Sequence, residues 1–233
     1  METIVRNVQR IREEIRRVAL ECGRNPEEIL LCAASKMNDA DRVRVAVEAG
    51  VDCCGENRVQ ELVQKQPLGA YGDKPVHFIG HLQTNKVNKV VGKVRLIQSV
   101  DRMELLVALE KCAQKMGVTQ DILLEVNIGM EESKSGFTKE EALHVAGEMG
   151  NFPHLRLKGL MAIPPLAEVS GGNLGFFAEM RRLAVDIRSK KYDNVSMDCL
   201  SMGMSEDFAD AIREGSTMIR VGTAIFGARN YGK

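Results

Sequence analysis

The chain has 233 residues, 44% of them hydrophobic, and its 32 basic and 32 acidic side chains cancel to a formal charge of zero. That length buries a sizeable core and suits one large α/β domain over 1–233 better than two small ones. The charge balance excludes nucleic acid and anionic membranes as expected partners, because both demand a surplus of Lys and Arg on one face.

Ile4, Val8, Ile11, Ile15 and Val18 recur at spacings of four and three, which predicts an N-terminal helix with one apolar stripe. An amphipathic start of this kind is not a signal-peptide core, and no apolar run approaches the ~20 residues that cross a bilayer, so a cytoplasmic location is expected. From there one theme repeats: a short β-rich apolar run, a polar corner, then a helical pattern. The predicted strands are 29–35, 51–55, 76–80, 94–99, 121–127, 155–163, 197–201 and 217–221. The helices between them fall at 39–50, 57–66, 84–92, 101–117, 138–150, 173–190 and 205–214. Asp39, Asn57, Thr84, Asp101, Thr138 and Ser205 stand where a side-chain oxygen can cap each start.

Strands alternating with helices of this length imply right-handed crossovers and a parallel sheet. Eight such units predict a (β/α)8 TIM-type barrel with an extra N-terminal helix. An open doubly wound sheet competes, but the first strand-helix turn lacks G-x-G-x-x-G. Pro164-Pro165 and Gly171-Gly172 share one long loop after the sixth strand, read as a cover for the barrel mouth and not as a linker.

The six cysteines include Cys32, Cys53, Cys54 and Cys199 inside apolar runs, where they read as small core residues in a reducing compartment. No Cys-x-x-Cys or helical His-Glu-x-x-His is present, and His77 and His81 on one strand would stand roughly 13 Å apart at ~3.3 Å per residue. No metal site is predicted. Lys86, Lys89 and Lys93 read as a solvated face.

Lys36 ends the apolar run Ile29-Leu30-Leu31-Cys32-Ala33-Ala34-Ser35. An amine in apolar surroundings loses hydration, its pKa falls, and it becomes a nucleophile able to form a Schiff base with an aldehyde. The plainer alternative is a lysine that marks the strand end and points into water. Two distant segments decide between them: Ser201-Met202-Gly203-Met204-Ser205 and Arg220-Val221-Gly222-Thr223. Barrel closure gathers strand C-termini on one rim, which brings together Lys36, Asn57, His81, Asn127, Met161, Ser201 and Thr223. Loops after the seventh and eighth strands commonly hold phosphate in this fold. Gly203 and Gly222 let backbone N–H groups approach an anion, Ser201, Ser205 and Thr223 offer hydroxyls, and Ser205 is expected to open the next helix.

Arg220 alternates onto the face of Met218 and Gly222. Inside the barrel it needs a partner: a pyridine nitrogen, or a carboxylate such as Glu56 or Glu125. Facing a pyridine nitrogen, it keeps that atom unprotonated and weakens the ring as an electron sink. A lysine for an aldehyde and a cradle for a phosphate together predict pyridoxal 5'-phosphate. Met204 reads as packing, and Met202 as packing with ring contact.

Seven segments carry a family resemblance. They are Ala34-Ser35-Lys36, Gly55-Glu56-Asn57-Arg58-Val59-Gln60-Glu61, His77-Phe78-Ile79-Gly80-His81-Leu82-Gln83-Thr84-Asn85-Lys86, Glu131-Glu132-Ser133-Lys134-Ser135-Gly136-Phe137, Gly159-Leu160-Met161, Ser201-Met202-Gly203-Met204-Ser205 and Arg220-Val221-Gly222-Thr223-Ala224-Ile225-Phe226-Gly227. In this order they resemble the pyridoxal-phosphate homeostasis protein family, single-domain relatives of the alanine racemase barrel. The resemblance implies that Lys36 carries the cofactor, that Ser201, Gly222 and Thr223 hold its phosphate, that Arg220 faces the ring nitrogen, and that Asn57 and Met161 lie beside the ring. Cys53-Cys54 stands where an aromatic is expected.

A two-base racemase needs a second proton donor on the opposite face of the cofactor, which in alanine racemases is a tyrosine from an extra β-domain. Here Tyr71 and Tyr192 fall in helix-to-strand loops at the other end of the barrel, and Tyr231 lies in the tail. The expectation is therefore a monomeric carrier or regulator of the vitamin B6 pool that affects amino-acid and keto-acid balance. It has no catalytic residue, and apo forms of pyridoxal-phosphate enzymes are its partners. An amino-acid racemase using His81 or Tyr231 is the first alternative, and a Schiff-base aldolase the second.

Overall fold

The computed structural model describes residues 1–131, 134–165, 169 and 171–227. Its strands are β1 (Leu30–Ala34), β2 (Cys53–Glu56), β3 (Val76–Phe78), β4 (Leu96–Val100), β5 (Gln120–Val126), β6 (Leu155–Ala162), β7 (Val195–Ser201) and β8 (Met218–Val221). They pair in parallel in chain order, and β1 also pairs with β8, so the sheet closes on itself as the predicted barrel. The helices are α1 (Glu2–Glu21), α2 (Ala40–Glu48), α3 (Val59–Lys65), α4 (Met103–Met116), α5 (Lys139–Gly147), α6 (Leu174–Lys190), α7 (Phe208–Arg213) and α8 (Thr223–Phe226). Between β3 and β4 a 3₁₀ segment, Thr84–Lys89, replaces the predicted α-helix.

Each strand divides its side chains by alternation, since successive residues point to opposite faces. Cys32, Cys53, Leu96, Leu123, Met161 and Met218 fill the barrel axis. Their neighbours Leu31, Cys54, Ile97, Leu124, Leu160 and Ile219 join the shell between strands and helices. Fully burying one such Leu or Ile contributes about 1.5–3 kcal/mol. The apolar stripe of α1 is buried as its spacing predicts, and the helix packs on α2, α7 and α8. Asn7 Nδ2 fastens it by donating to the Ile225 carbonyl at 2.9 Å. Among the described residues no helix is long and apolar enough to cross a membrane.

Some helix starts depart from the predictions by one or two residues. Asp39 caps α2 through the Arg42 N–H, and Thr138 forms a capping box with Glu141. Asn57 and Asp101 each stand one residue too early, because α3 and α4 begin after Arg58 and Arg102. Thr84 is already inside its 3₁₀ segment, which follows Gln83. Ser205 does not open α7 either: Asp207 precedes that helix, and its carboxylate accepts from the Met204 N–H at 2.7 Å.

Candidate functional site

Lys36 sits half-buried in the turn that leaves β1, at the end of the barrel where the strand C-termini meet. The next residue, Met37, has φ 60°, an uncommon conformation for a residue with a Cβ. Side chains hold both peptide groups that flank the lysine. Lys65 Nζ donates to the Ser35 carbonyl at 2.8 Å, and Glu61 accepts from the Met37 N–H at 2.7 Å. Lys65 also bridges Glu61 at 2.8 Å and the fully buried Glu56 at 2.9 Å. Glu56 Oε1 further accepts from the hydroxyls of Ser35 (2.7 Å) and Tyr71 (3.1 Å). Burial and the Glu56 charge push the Tyr71 phenol upward, so that it stays a donor. Sequence reading missed this clamp, although the four-residue step from Glu61 to Lys65 on one helix was its signal.

Asn57 follows β2 and packs against the loop after β3. A Cβ on Gly80 would lie 2.2 Å from the Asn57 carbonyl oxygen, so glycine alone permits this approach. Asn57 Oδ1 is buried and makes no hydrogen bond within the protein. A buried acceptor without a donor costs about 1–3 kcal/mol and marks a place where an external donor fits.

Across the mouth, Arg220 on β8 donates to Ser201 Oγ at 2.6 Å and to the Ala162 carbonyl at 2.9 Å. Ser201 in turn donates to Gln98 Oε1 at 2.7 Å. Burial draws the Arg220 pKa down, yet a guanidinium keeps its charge in proteins. The carboxylate partners entertained for Arg220 take other positions. Glu56 lies on the outer face of β2 with Lys65, and no ion pair joins Arg220 to Glu125 among the described residues. Glu125 stays close enough for the arginine to oppose the rise in its pKa, which burial and then Asp101 push up to about 7.

The loops after β7 and β8 meet through Ser205, whose hydroxyl accepts from the Ala224 N–H at 3.2 Å. Gly222 follows directly on β8, where Val221 pairs with Ala33 of β1, and this register carries it alongside Ala34 and the Lys36 turn. Thr223 is exposed, whereas Met161 is fully buried on the barrel axis. Met202, expected as packing with ring contact, has its side chain fully buried in the shell between barrel and helices, one residue out of phase with Ser201. Gly203 serves packing, for a Cβ there would meet Ala211 Cβ at 2.6 Å. Asn127 organises its own loop through the Glu131 and Lys134 carbonyls. His81 is exposed and held by Asp101 at 2.9 Å. Glu132, Ser133 and Tyr231 lie outside the described residues. Two surface hollows, of about 390 and 490 Å³, lie at the opposite end of the barrel, beside Lys74 and Arg95 and beside Arg12 and Asp52. The mouth thus presents an amine on a clamped turn, an unpartnered acceptor, a buried guanidinium and two joined loops.

Comparison with known proteins agrees with this architecture. The alanine racemase N-terminal domain family matches residues 6–230. An Escherichia coli protein named pyridoxal phosphate homeostasis protein is 40% identical over 238 residues, covering 100% of both chains. A solved structure from Bifidobacterium adolescentis superposes with a TM-score of 0.90 at 35% identity, covering 97% of this chain and 95% of that one. PipY of Synechococcus elongatus, solved with PLP bound, superposes with a TM-score of 0.79 at 31% identity, covering 92% and 100%. With full-length identity of this order and the barrel in common, the chain belongs to the pyridoxal phosphate homeostasis protein family, within the wider family of alanine racemase N-terminal domains.

Proposed function

We propose that this chain binds pyridoxal 5'-phosphate in the barrel mouth and acts as a carrier or regulator of that cofactor pool, with effects on amino-acid and keto-acid balance. The observation that carries the reading is the clamped Lys36 turn at the end of β1 together with a buried, unpartnered Asn57 acceptor at the end of the adjacent β2. The residues fit the group. Lys36 supplies the amine that holds the aldehyde carbon, Asn57 and Met161 border the ring, Arg220 meets its nitrogen, and Gly222 and Thr223 receive the phosphate. Ser201 joins Gly222 and Thr223 at the phosphate; its hydroxyl, engaged by Gln98 and Arg220, also orients the guanidinium, and Ser205 braces the phosphate loops. Pyridoxal phosphate serves as an electron sink, and an arginine at its ring nitrogen keeps that nitrogen unprotonated and weakens the property.

The name of the Escherichia coli relative and the PLP in the PipY structure support this reading. A single-domain barrel over 1–233 that holds the cofactor with little or no turnover, and passes it as a monomer to apo-enzymes, follows from the same proposal. Racemase chemistry needs a second proton carrier across the ring, and His81 is turned to Asp101 and solvent. The test is the absorption spectrum of purified protein with added pyridoxal phosphate, followed by borohydride trapping and peptide mapping. Expected are a violet-absorbing adduct trapped on Lys36, its loss in Lys36→Ala, and no exchange of an amino acid's α-hydrogen with deuterated water. A colourless protein unmodified at Lys36 overturns the binding; rapid exchange that depends on Lys36 overturns the carrier role.

A further inference from the structure

We propose that Cys32, Cys53 and His77 form a second site, inside the barrel beneath the mouth, for a soft thiol-binding cation of the zinc(II) or copper(I) class. The two sulfurs and an imidazole nitrogen all lie within 4.8 Å of one another, and all three residues are buried. Three consecutive strands bring them together. Cys32 pairs directly with Cys53 across β1 and β2, and His77 on β3 pairs with Gly55, two residues beyond Cys53. A tetrahedral ion with metal–sulfur bonds of about 2.3 Å places its sulfurs about 3.8 Å apart, so the cluster contracts by at most about 1 Å to enclose one.

The surroundings suit a soft ion. Thiolate, thioether and imidazole select zinc or copper(I), whereas magnesium and calcium require oxygen ligands. Leu96, Leu123 and Met161 wall the cluster, and Met218 brings a thioether to it. Gln98 Nε2 donates to His77 Nδ1 at 2.9 Å and to Met218 Sδ at 3.1 Å, which sets imidazole and thioether side by side; ligation through His77 Nε2 requires the Gln98 amide to turn and accept from an Nδ1–H. With the amide turned, Gln98 Oε1 is the acceptor that ordinarily fixes a ligating histidine through its other N–H. A Cβ on Gly55 would stand 3.0 Å from Cys32 Sγ, so the glycine leaves that sulfur its space. The charges also balance. Zinc(II) displaces two thiol protons to solvent and leaves a neutral complex. Copper(I) leaves one negative charge, which Arg220, paired with Cys32 across β1 and β8, offsets. No residue of this cluster is among those proposed to hold the cofactor.

The test uses reduced, cofactor-free full-length protein in which the exposed Cys22 and the partly exposed Cys112 are replaced by serine. Zinc(II) and copper(I) are added in separate arms, metal retained after gel filtration is measured, and cobalt(II) reports thiolate ligation by near-ultraviolet charge-transfer absorption. Expected are about one ion per chain in at least one arm and cobalt–thiolate bands, both lost in Cys32→Ser/Cys53→Ser. Gln98→Leu weakens retention about tenfold. The arm that retains metal names the ion. Absent cobalt bands with no metal retained in either arm of the folded background, or retention unchanged by the double substitution, overturn the site. Because the bands are read on a background that keeps the cluster intact, misfolding of the double variant does not spare the proposal.

Discussion

Lys65 carries its charge to a carboxylate with no exposed side-chain surface, and with Glu61, its second partner, it fixes the peptide groups on both sides of Lys36. Removing one member of a buried pair leaves the other uncompensated, which costs about 3–5 kcal/mol, whereas neutralising both costs less. Lys65→Met is therefore expected to lower the urea midpoint strongly, and adding Glu56→Gln to recover part of the loss. A role confined to stability would leave the chemistry of the folded fraction unchanged. Here the yield of borohydride-trapped Lys36 at limiting cofactor should fall in folded Lys65→Met and recover incompletely in the double variant. Glu125 offers a second test at this scale. Burial and Asp101 raise its folded pKa from 4.5 to about 7, against the pull of Arg220. Below the unfolded pKa both states hold the proton and folding incurs no penalty. As pH rises toward the folded pKa the unfolded chain releases its proton first, and stability falls until both states are ionised. Glu125→Gln should thus raise the Tm of the cofactor-free protein at about pH 8 and leave it nearly unchanged at about pH 4, as thermal melts across that range would register.

The elements depend on a few close approaches that side chains forbid. Gly159 in β6 has φ 154°, and a Cβ there would stand 1.7 Å from the Cys199 carbonyl oxygen of β7. Gly159→Ala must push the two strands apart beside Met161 and Ser201, so unfolding measurements should show a loss of at least about 3 kcal/mol. An alanine that cost nothing would mean the β6–β7 register shifts freely. Elements of this kind were readable because alternation and apolar runs are local: each predicted strand overlaps an observed one, and the stripe of α1 was visible in five residues. Helix starts were less readable. Asp101 was drawn to His81 and Arg102, and Ser205 to Ala224, partners that the local pattern does not contain. The proposed site divides in the same way. Lys36, Asn57, Gly222 and Thr223 were visible as strand ends once a barrel was inferred. The clamp on Lys36, the Ser201–Arg220–Gln98 chain and the Cys32–Cys53–His77 cluster were not, because each joins residues from separate strands or helices through three-dimensional register.

Around the closed barrel the seams are unequal. The β5–β6 register runs along the whole of β5, from Gln120 to Val126, whereas β7 and β8 are registered at Ser201 and Met218. Much of the last seam is sewn by other bonds: Met202 N–H to the Met218 carbonyl, Thr217 N–H to the Leu200 carbonyl, Arg220 N–H to the Gly203 carbonyl, and Leu200 N–H to the Thr217 hydroxyl. Segments held by few such bonds open at lower free energy than the core. This seam also carries Ser201 and Arg220, so a cofactor seated against them bridges both strands and must leave before the seam opens. At a cofactor concentration about 100 times the Kd, that linkage is worth about 2.7 kcal/mol, or about a hundredfold in opening. Amide exchange in the cofactor-free protein is therefore expected to be faster at Met202, Thr217 and Arg220 than along β5. Added pyridoxal phosphate should slow those three by up to that factor and leave β5 nearly unchanged. Uniform slowing around the barrel would instead mean that the cofactor stabilises global folding alone, and that loading and release do not pass through the β7–β8 seam.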